Sequence, residues 1–307
     1  MFTELRASAM NNKLISWILF ILLCFIWGSS FILMKEGKQG LTAPQIAGLR
    51  IFSAGIVLLP FAFFHIRHIP RKKMGLIVIT GLLGNLLPAF LFAAAIIKLD
   101  SSLEGILNSL TPIFMVIIGA LFFKDRIGLQ KVLGVIIGFA GLCLLAFTRQ
   151  DVNLDNLGYA GLVVIATICY GLNVNIVGHF MQGIKPWHMA SVSLAIMSIP
   201  AGIVLWQQGF WELDFSDPVV QWSVLNATLL GVVGSAFATV LFYALVQKAG
   251  ALVASLVTYG IPFVALFWGF LDGEKITLKD IACLLVILLG VFLAKVPLKI
   301  KRWKRLP

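Results

Sequence analysis

Apolar residues in this chain come in long runs separated by short polar breaks. The runs Leu14–Met34, Ile46–Ile66, Leu103–Phe123 and Val253–Leu271 are each about 20 residues long. At ~1.5 Å of rise per residue, such a helix crosses a hydrocarbon core of roughly 30 Å. Placing the breaks at turn residues and charges predicts ten spans: 14–34, 45–66, 75–96, 102–123, 129–147, 157–179, 187–207, 222–246, 251–271 and 278–295. The first run is too long for the apolar part of a signal peptide and has no small-residue cleavage site behind it, so it reads as a retained helix. Loops are short. The longest, near 208–221, carries Glu212, Asp214 and Asp217 but no Lys or Arg.

The second half of the chain echoes the first. Shifted by 150 positions, Gly81, Gly84, Leu91, Phe92, Lys98, Pro112 and Gly119 fall on Gly231, Gly234, Leu241, Phe242, Lys248, Pro262 and Gly269. Shifted by 149, Asp125 meets Glu274 and Gly141 meets Gly290. Shared greasiness would match Leu and Val at random; it would not align Gly, Pro and acidic residues in register. The expected fold is therefore an all-α polytopic membrane protein, ten transmembrane helices in two five-helix repeats, at 14–148 and 157–296, followed by a basic tail at 297–307. An odd number of helices per repeat makes the second repeat enter from the opposite face, so the repeats are inverted.

Composition sharpens this picture. Only 12% of the residues are charged, against about 25% in soluble chains. The net charge of +11 would point to nucleic acid in a soluble protein, but the basic residues sit between apolar runs and at the C-terminus, so no nucleic-acid partner is expected. Of the 24 Lys and Arg, 17 fall on the side of the N-terminus and 6 on the other, with Arg50 inside a span. Both termini are thus expected in the cytoplasm, and the chain in the plasma (inner) membrane. Cys24, Cys143, Cys169 and Cys283 lie inside apolar runs without metal-ligand spacing, and read as packing residues. No cofactor or metal site is expected, and nucleotide-binding and hydrolase signatures are absent.

Trp27-Gly28-Ser29-Ser30, Arg50, Leu110-Thr111-Pro112 and the acidic residue heading the fifth helix, in that order and spacing, resemble the EamA-type members of the drug/metabolite transporter superfamily along essentially the whole chain. The resemblance implies an exporter of amino acids or other small metabolites. It also implies a central cavity surrounded by the first, third, fourth, sixth, eighth and ninth helices, with the fifth and tenth at the ends. Glu104 departs from the pattern, since similar sequences usually carry a small or neutral residue there.

Polar groups inside a bilayer are costly and mark functional positions. Glu104, Asn108 and Thr111 share one face of the fourth helix. Glu104 has two readings: a cation or proton site, or an interfacial carboxylate paired with Lys98. Thr258 and Tyr259 on the ninth helix, Asn85 on the third, Trp27 and Ser30 on the first, and Tyr170 and Asn173 on the sixth complete the candidate substrate site. Pro112 and Pro262 are expected to kink their helices and free the carbonyls of residues 108 and 258. Arg50 reads as a structural clamp onto helix ends or carbonyls, with direct substrate contact as the alternative, and Asp125 and Glu274 read as helix-start charges. Gly134-x-x-x-Gly138 with Gly141 reads as a packing stripe within one chain, with dimerisation as the alternative. The expected partners are a small-molecule metabolite, the lipid bilayer and protons. The competing reading on the same scaffold is a flippase for a polar-headed lipid.

Overall fold

The computed structural model describes residues 2–99, 101–125, 128–148, 157–271 and 277–295. Glu274 and the basic tail 297–307 lie outside the described residues. Every regular element described is helical. In chain order they are α1 (Phe2–Gly37), α2 (Ala43–His65), α3 (Met74–Gly81), α4 (Leu87–Ala95), α5 (Ser101–Asn108), α6 (Thr111–Phe122) and α7 (Leu129–Thr148). There follow α8 (Leu157–Phe180), α9 (Pro186–Gln207), α10 (Pro218–Gly231), α11 (Ala238–Ala249), α12 (Ala251–Ser255), α13 (Val257–Leu271) and α14 (Leu278–Lys295). Seven helical stretches among the described residues are long and apolar enough to cross a membrane, and Thr111–Phe122 and Leu129–Gly141 are shorter apolar helices.

Local chemistry explains the starts. Pro44, Pro186 and Pro218 sit in the first turn of α2, α9 and α10, where no amide donor is missed. Asp217 caps α10, its Oδ1 accepting from the Val219 amide at 2.8 Å. At α14 the cap is Thr277, whose amide donates to Asp280 Oδ2 at 2.9 Å while the Asp280 amide donates to Thr277 Oγ1 at 3.3 Å.

Two expected spans are not plain α-helix. Between α3 and α4, and between α10 and α11, the backbone widens into a π turn, at Leu82–Leu86 and Val232–Phe237. The two π turns begin 150 residues apart. The expected fourth span breaks at Ser109–Leu110 into α5 and α6, and the ninth breaks at Leu256 into α12 and α13. Pro112 therefore sits in the first turn of a new helix instead of kinking a continuous one.

Burial is inverted relative to a soluble protein. Leu121, Phe122, Phe147, Trp206 and Leu278 are exposed, while Asn173, Asn175, Ser191 and Thr167 are buried. Such a surface suits lipid and not water. Glycines let the helices close up in matched places. A Cβ on Gly28 of α1 would meet Val264 and the Ile261 carbonyl of α13. One on Gly171 of α8 would meet the backbone of Phe114 and Met115 in α6. Likewise Gly141 of α7 rests on Ile287 of α14, and Gly290 of α14 on Gly134 and Gly138 of α7. The small-residue stripe of α7 thus faces a helix of its own chain.

Candidate functional site

A cavity of about 780 Å³, counting its open mouth, lies where α1, α2, α4, α5, α6, α8, α11, α12, α13 and the two π turns converge. Neither α7 nor α14 contributes a lining residue. One wall is aromatic. The rings of Phe31 and Phe92 lie 6.1 Å apart edge to face, and Phe92 stacks on Tyr170 at 6.1 Å. Trp27 packs beside Phe242 at 5.1 Å, and its Nε1 donates to the Gly234 carbonyl at 3.0 Å. That carbonyl belongs to the second π turn, where the ordinary helical pairing is interrupted, so the widening is what makes the acceptor available.

The other wall is polar. Thr239 Oγ1 donates to Asn85 Oδ1 at 3.0 Å, and Arg50 Nε donates to Ser235 Oγ at 2.8 Å. Asn85 Nδ2, Asn108 Oδ1 and Asn173 Oδ1 are buried without a hydrogen-bond partner among the described residues. The Tyr243 hydroxyl sits next to Asn173, Thr80 and Asn85 without a hydrogen bond of good geometry. Each unpaired buried group costs about 1–3 kcal/mol, so a ligand that supplies the missing partners is favoured.

Of the ten residues expected to form the site, Trp27, Ser30, Asn85, Asn108, Thr111, Tyr170, Asn173 and Thr258 line this cavity together. Tyr259 does not. Its ring packs against Gly138 of α7, its hydroxyl donates to the Val135 carbonyl at 3.3 Å, and its cluster includes Cys283 and Ile287 of α14. Neighbouring helix positions point about 100° apart, so Thr258 facing the cavity sends Tyr259 away from it. Glu104 lies outside the lining and is fully buried, and neither carboxylate oxygen is hydrogen-bonded among the described residues. Lys98 is exposed, so the interfacial pair expected between them is not what the structure contains. Arg50, Lys38 and Tyr170 are within electrostatic reach of Glu104.

The carbonyls of residues 108 and 258, expected to be freed by Pro112 and Pro262, both have partners. Thr111 Oγ1 donates to the Asn108 carbonyl at 2.8 Å, and Ser109 Oγ to the Thr258 carbonyl at 2.7 Å. Asp125 precedes α7 by several residues and does not cap it; its Oδ1 meets His179 Nε2 of α8 at 3.0 Å. Asn175, one turn from Gly171, is fixed by its amide donating to the Met115 and Gly171 carbonyls, both at 2.9 Å. Arg50, expected as a clamp, lines the cavity. Thr239 and Tyr243 were not foreseen, although they follow Ser235 at helical spacing and so share its face.

Residues 14–147 and 157–295 each match the model of the EamA-like transporter family, and the chain belongs to that family. It is a multi-span membrane transporter. A relative called an uncharacterized transporter in Archaeoglobus fulgidus is 25% identical over 278 residues, covering 90% of this chain and 97% of its own. The uncharacterized transporter YoaV of Bacillus subtilis is 26% identical over 290 residues, covering 87% and 92%. Protein PagO of Salmonella typhimurium is 22% identical over 286 residues, covering 91% and 92%. A solved crystal structure shares the fold at a TM-score of 0.68 and 15% identity, over 93% of this chain and 96% of that one.

Proposed function

We propose that this transporter exports amino acids or closely related neutral and zwitterionic metabolites across the inner membrane by alternating access. The observation that carries the reading is the central cavity, in which buried and unpaired amide atoms of Asn85, Asn108 and Asn173 face an aromatic wall. An amphipathic solute with donors and acceptors at one end and an apolar body fits both walls.

The architecture we assign is ten transmembrane helices in two inverted five-helix repeats, with both termini cytoplasmic. The π turns 150 residues apart support it. So do the matched glycine contacts of α1 on α13 and α8 on α6, and of α7 and α14 on each other. Two halves related in this way exchange between inward-open and outward-open forms around a site at their junction. Glu104 is the group we assign to proton coupling: it is a buried carboxylate with no hydrogen-bond partner, in reach of the charge on Arg50 and Lys38. A carrier without coupling would run the same cycle down the metabolite gradient.

Counterflow in proteoliposomes tests the reading. Vesicles loaded with a mixed pool of amino acids are expected to accumulate one radiolabelled amino acid from outside, only when unlabelled solute is inside. Failure of every small solute, with protein shown to be folded, would overturn it in favour of a flippase for a polar-headed lipid.

A further inference from the structure

We propose that Arg50 and Asn85 form a carboxylate subsite in the central cavity, so that the transported molecule is held there by an acid group. The proposal rests on the transporter reading above and names the chemistry that the site selects.

Three observations converge. First, among the described residues Arg50 is the only Lys or Arg lining the cavity, and its hydrogen bond there is made by Nε, to Ser235. A clamp on helix ends would use the two terminal nitrogens on carbonyls. Here the bond at Nε fixes the plane of the guanidinium and leaves the fork for a ligand. Second, Asn85 is oriented by Thr239, which takes its carbonyl oxygen and leaves the amide nitrogen as an unpaired donor. Third, Ser235 and Thr239 stand one turn apart on the same helical rod, so a single element sets both donors. Gly231, one turn earlier, makes this possible. A Cβ there would run into Ser53 Oγ and the Arg50 carbonyl, so only glycine lets α2 bring Arg50 this close.

The unpaired groups of the subsite are the guanidinium fork and one amide NH₂, both donors, with the Tyr243 hydroxyl beside Asn85. Its complement is a planar group that only accepts, with two oxygens to meet the fork, which describes a carboxylate. A phosphate would also meet the fork, but at pH 7 it brings about two negative charges against one guanidinium. Glu104 is in electrostatic reach of Arg50, yet makes no hydrogen bond to it, so it offsets the charge without occupying the fork. Asn108 Oδ1 and Asn173 Oδ1 are unpaired acceptors on other helices, suited to an ammonium. Unpaired donors and unpaired acceptors in one cavity suit a zwitterion.

The test uses the full chain in proteoliposomes loaded with mixed L-amino acids. Each radiolabelled amino acid that exchanges is competed with itself, with its α-amide and with its decarboxylated amine. Wild-type protein is expected to prefer the acid at least ~10-fold over both analogues, because a site built around paired polar groups rejects what leaves them unpaired. Arg50→Gln is expected to erase that preference, and Arg50→Lys to keep only part of it, since an ammonium lacks the fork. Ser235→Ala and Thr239→Val, which loosen the donors without removing them, should raise KM for the acid by about 3- to 10-fold and leave competition by the amide unchanged. An undiminished preference in folded Arg50→Gln overturns the subsite and leaves the transporter reading standing. If Arg50→Gln does not fold, Asn85→Leu and Ser235→Ala decide, and wild-type preference in both overturns it. No exchange of any amino acid by wild-type protein overturns the amino-acid reading, and the subsite with it.

Discussion

Ser109 Oγ donates at 2.7 Å to the carbonyl of Thr258, the carbonyl that Pro262 leaves without its helical donor. The bond joins α13 to the break between α5 and α6. A hydroxyl in one half of the chain thus satisfies a backbone defect in the other, at the wall of the cavity. At Asn108, where α5 ends before the break, the carbonyl is satisfied locally by Thr111 Oγ1 at 2.8 Å.

Ser109→Ala is expected to leave the Thr258 carbonyl buried and unpaired, at a cost of about 1–3 kcal/mol. A thermal-unfolding scan of the protein in nanodiscs checks this. Ser109→Thr keeps the hydroxyl and should restore most of the loss. A wild-type midpoint in Ser109→Ala would mean that the carbonyl finds another partner.

Gly84→Ala displaces one lining side chain of the cavity without replacing it. A Cβ there would collide with the Asn173 amide, the free end of a side chain that can move aside. The fold is expected to survive and KM for the transported solute to rise roughly 10-fold, the worth of one hydrogen bond. Counterflow kinetics give the answer, and an unchanged KM would remove Asn173 from the substrate contacts.

Tyr259→Phe is expected to leave transport unchanged, because the hydroxyl bonds Val135 between α7 and α13, away from the cavity. Stability should fall by about 1 kcal/mol at most. Transport lost in a folded Tyr259→Phe protein would mean that the α7–α14 pair takes part in the cycle.

Glu104→Gln keeps the shape of the side chain and removes its charge and its proton. Counterflow with equal pH on both sides is expected to persist, while the response to an imposed pH gradient disappears. The groups that act on Glu104 electrostatically, Arg50, Lys38 and Tyr170, stay in place in this variant. A gradient response equal to wild type would move proton coupling elsewhere.

Much of this was legible in sequence because the bilayer punishes polarity. A polar residue in a span of membrane length stands out, and Trp27, Ser30, Asn85, Asn108, Thr111, Tyr170, Asn173 and Thr258 do gather around one cavity. What failed was helix phase. Thr258 and Tyr259 are adjacent and both polar, but only one direction leads inward. Glu104 was harder, because its burial depends on α1 and α13 closing over α5 at Gly105, next to Phe31, Ile261 and Ala265. The spacing Thr277-x-x-Asp280 marks the cap of α14 in the sequence, whereas the repeat alignment points to Glu274 instead. The π turns had no visible signal beyond the glycines at 81, 84, 231 and 234.

Those π turns also decide what the cavity wall is made of. Widening a helix interrupts its regular pairing, and here it occurs twice, at Leu82–Leu86 and Val232–Phe237. Each half of the chain that matches the family, 14–147 and 157–295, thus holds one wide turn, and the two begin at the same register. Both turns reach the cavity through glycine, Gly84 in the first and Gly234 in the second, so each half lends it a stretch of bare backbone.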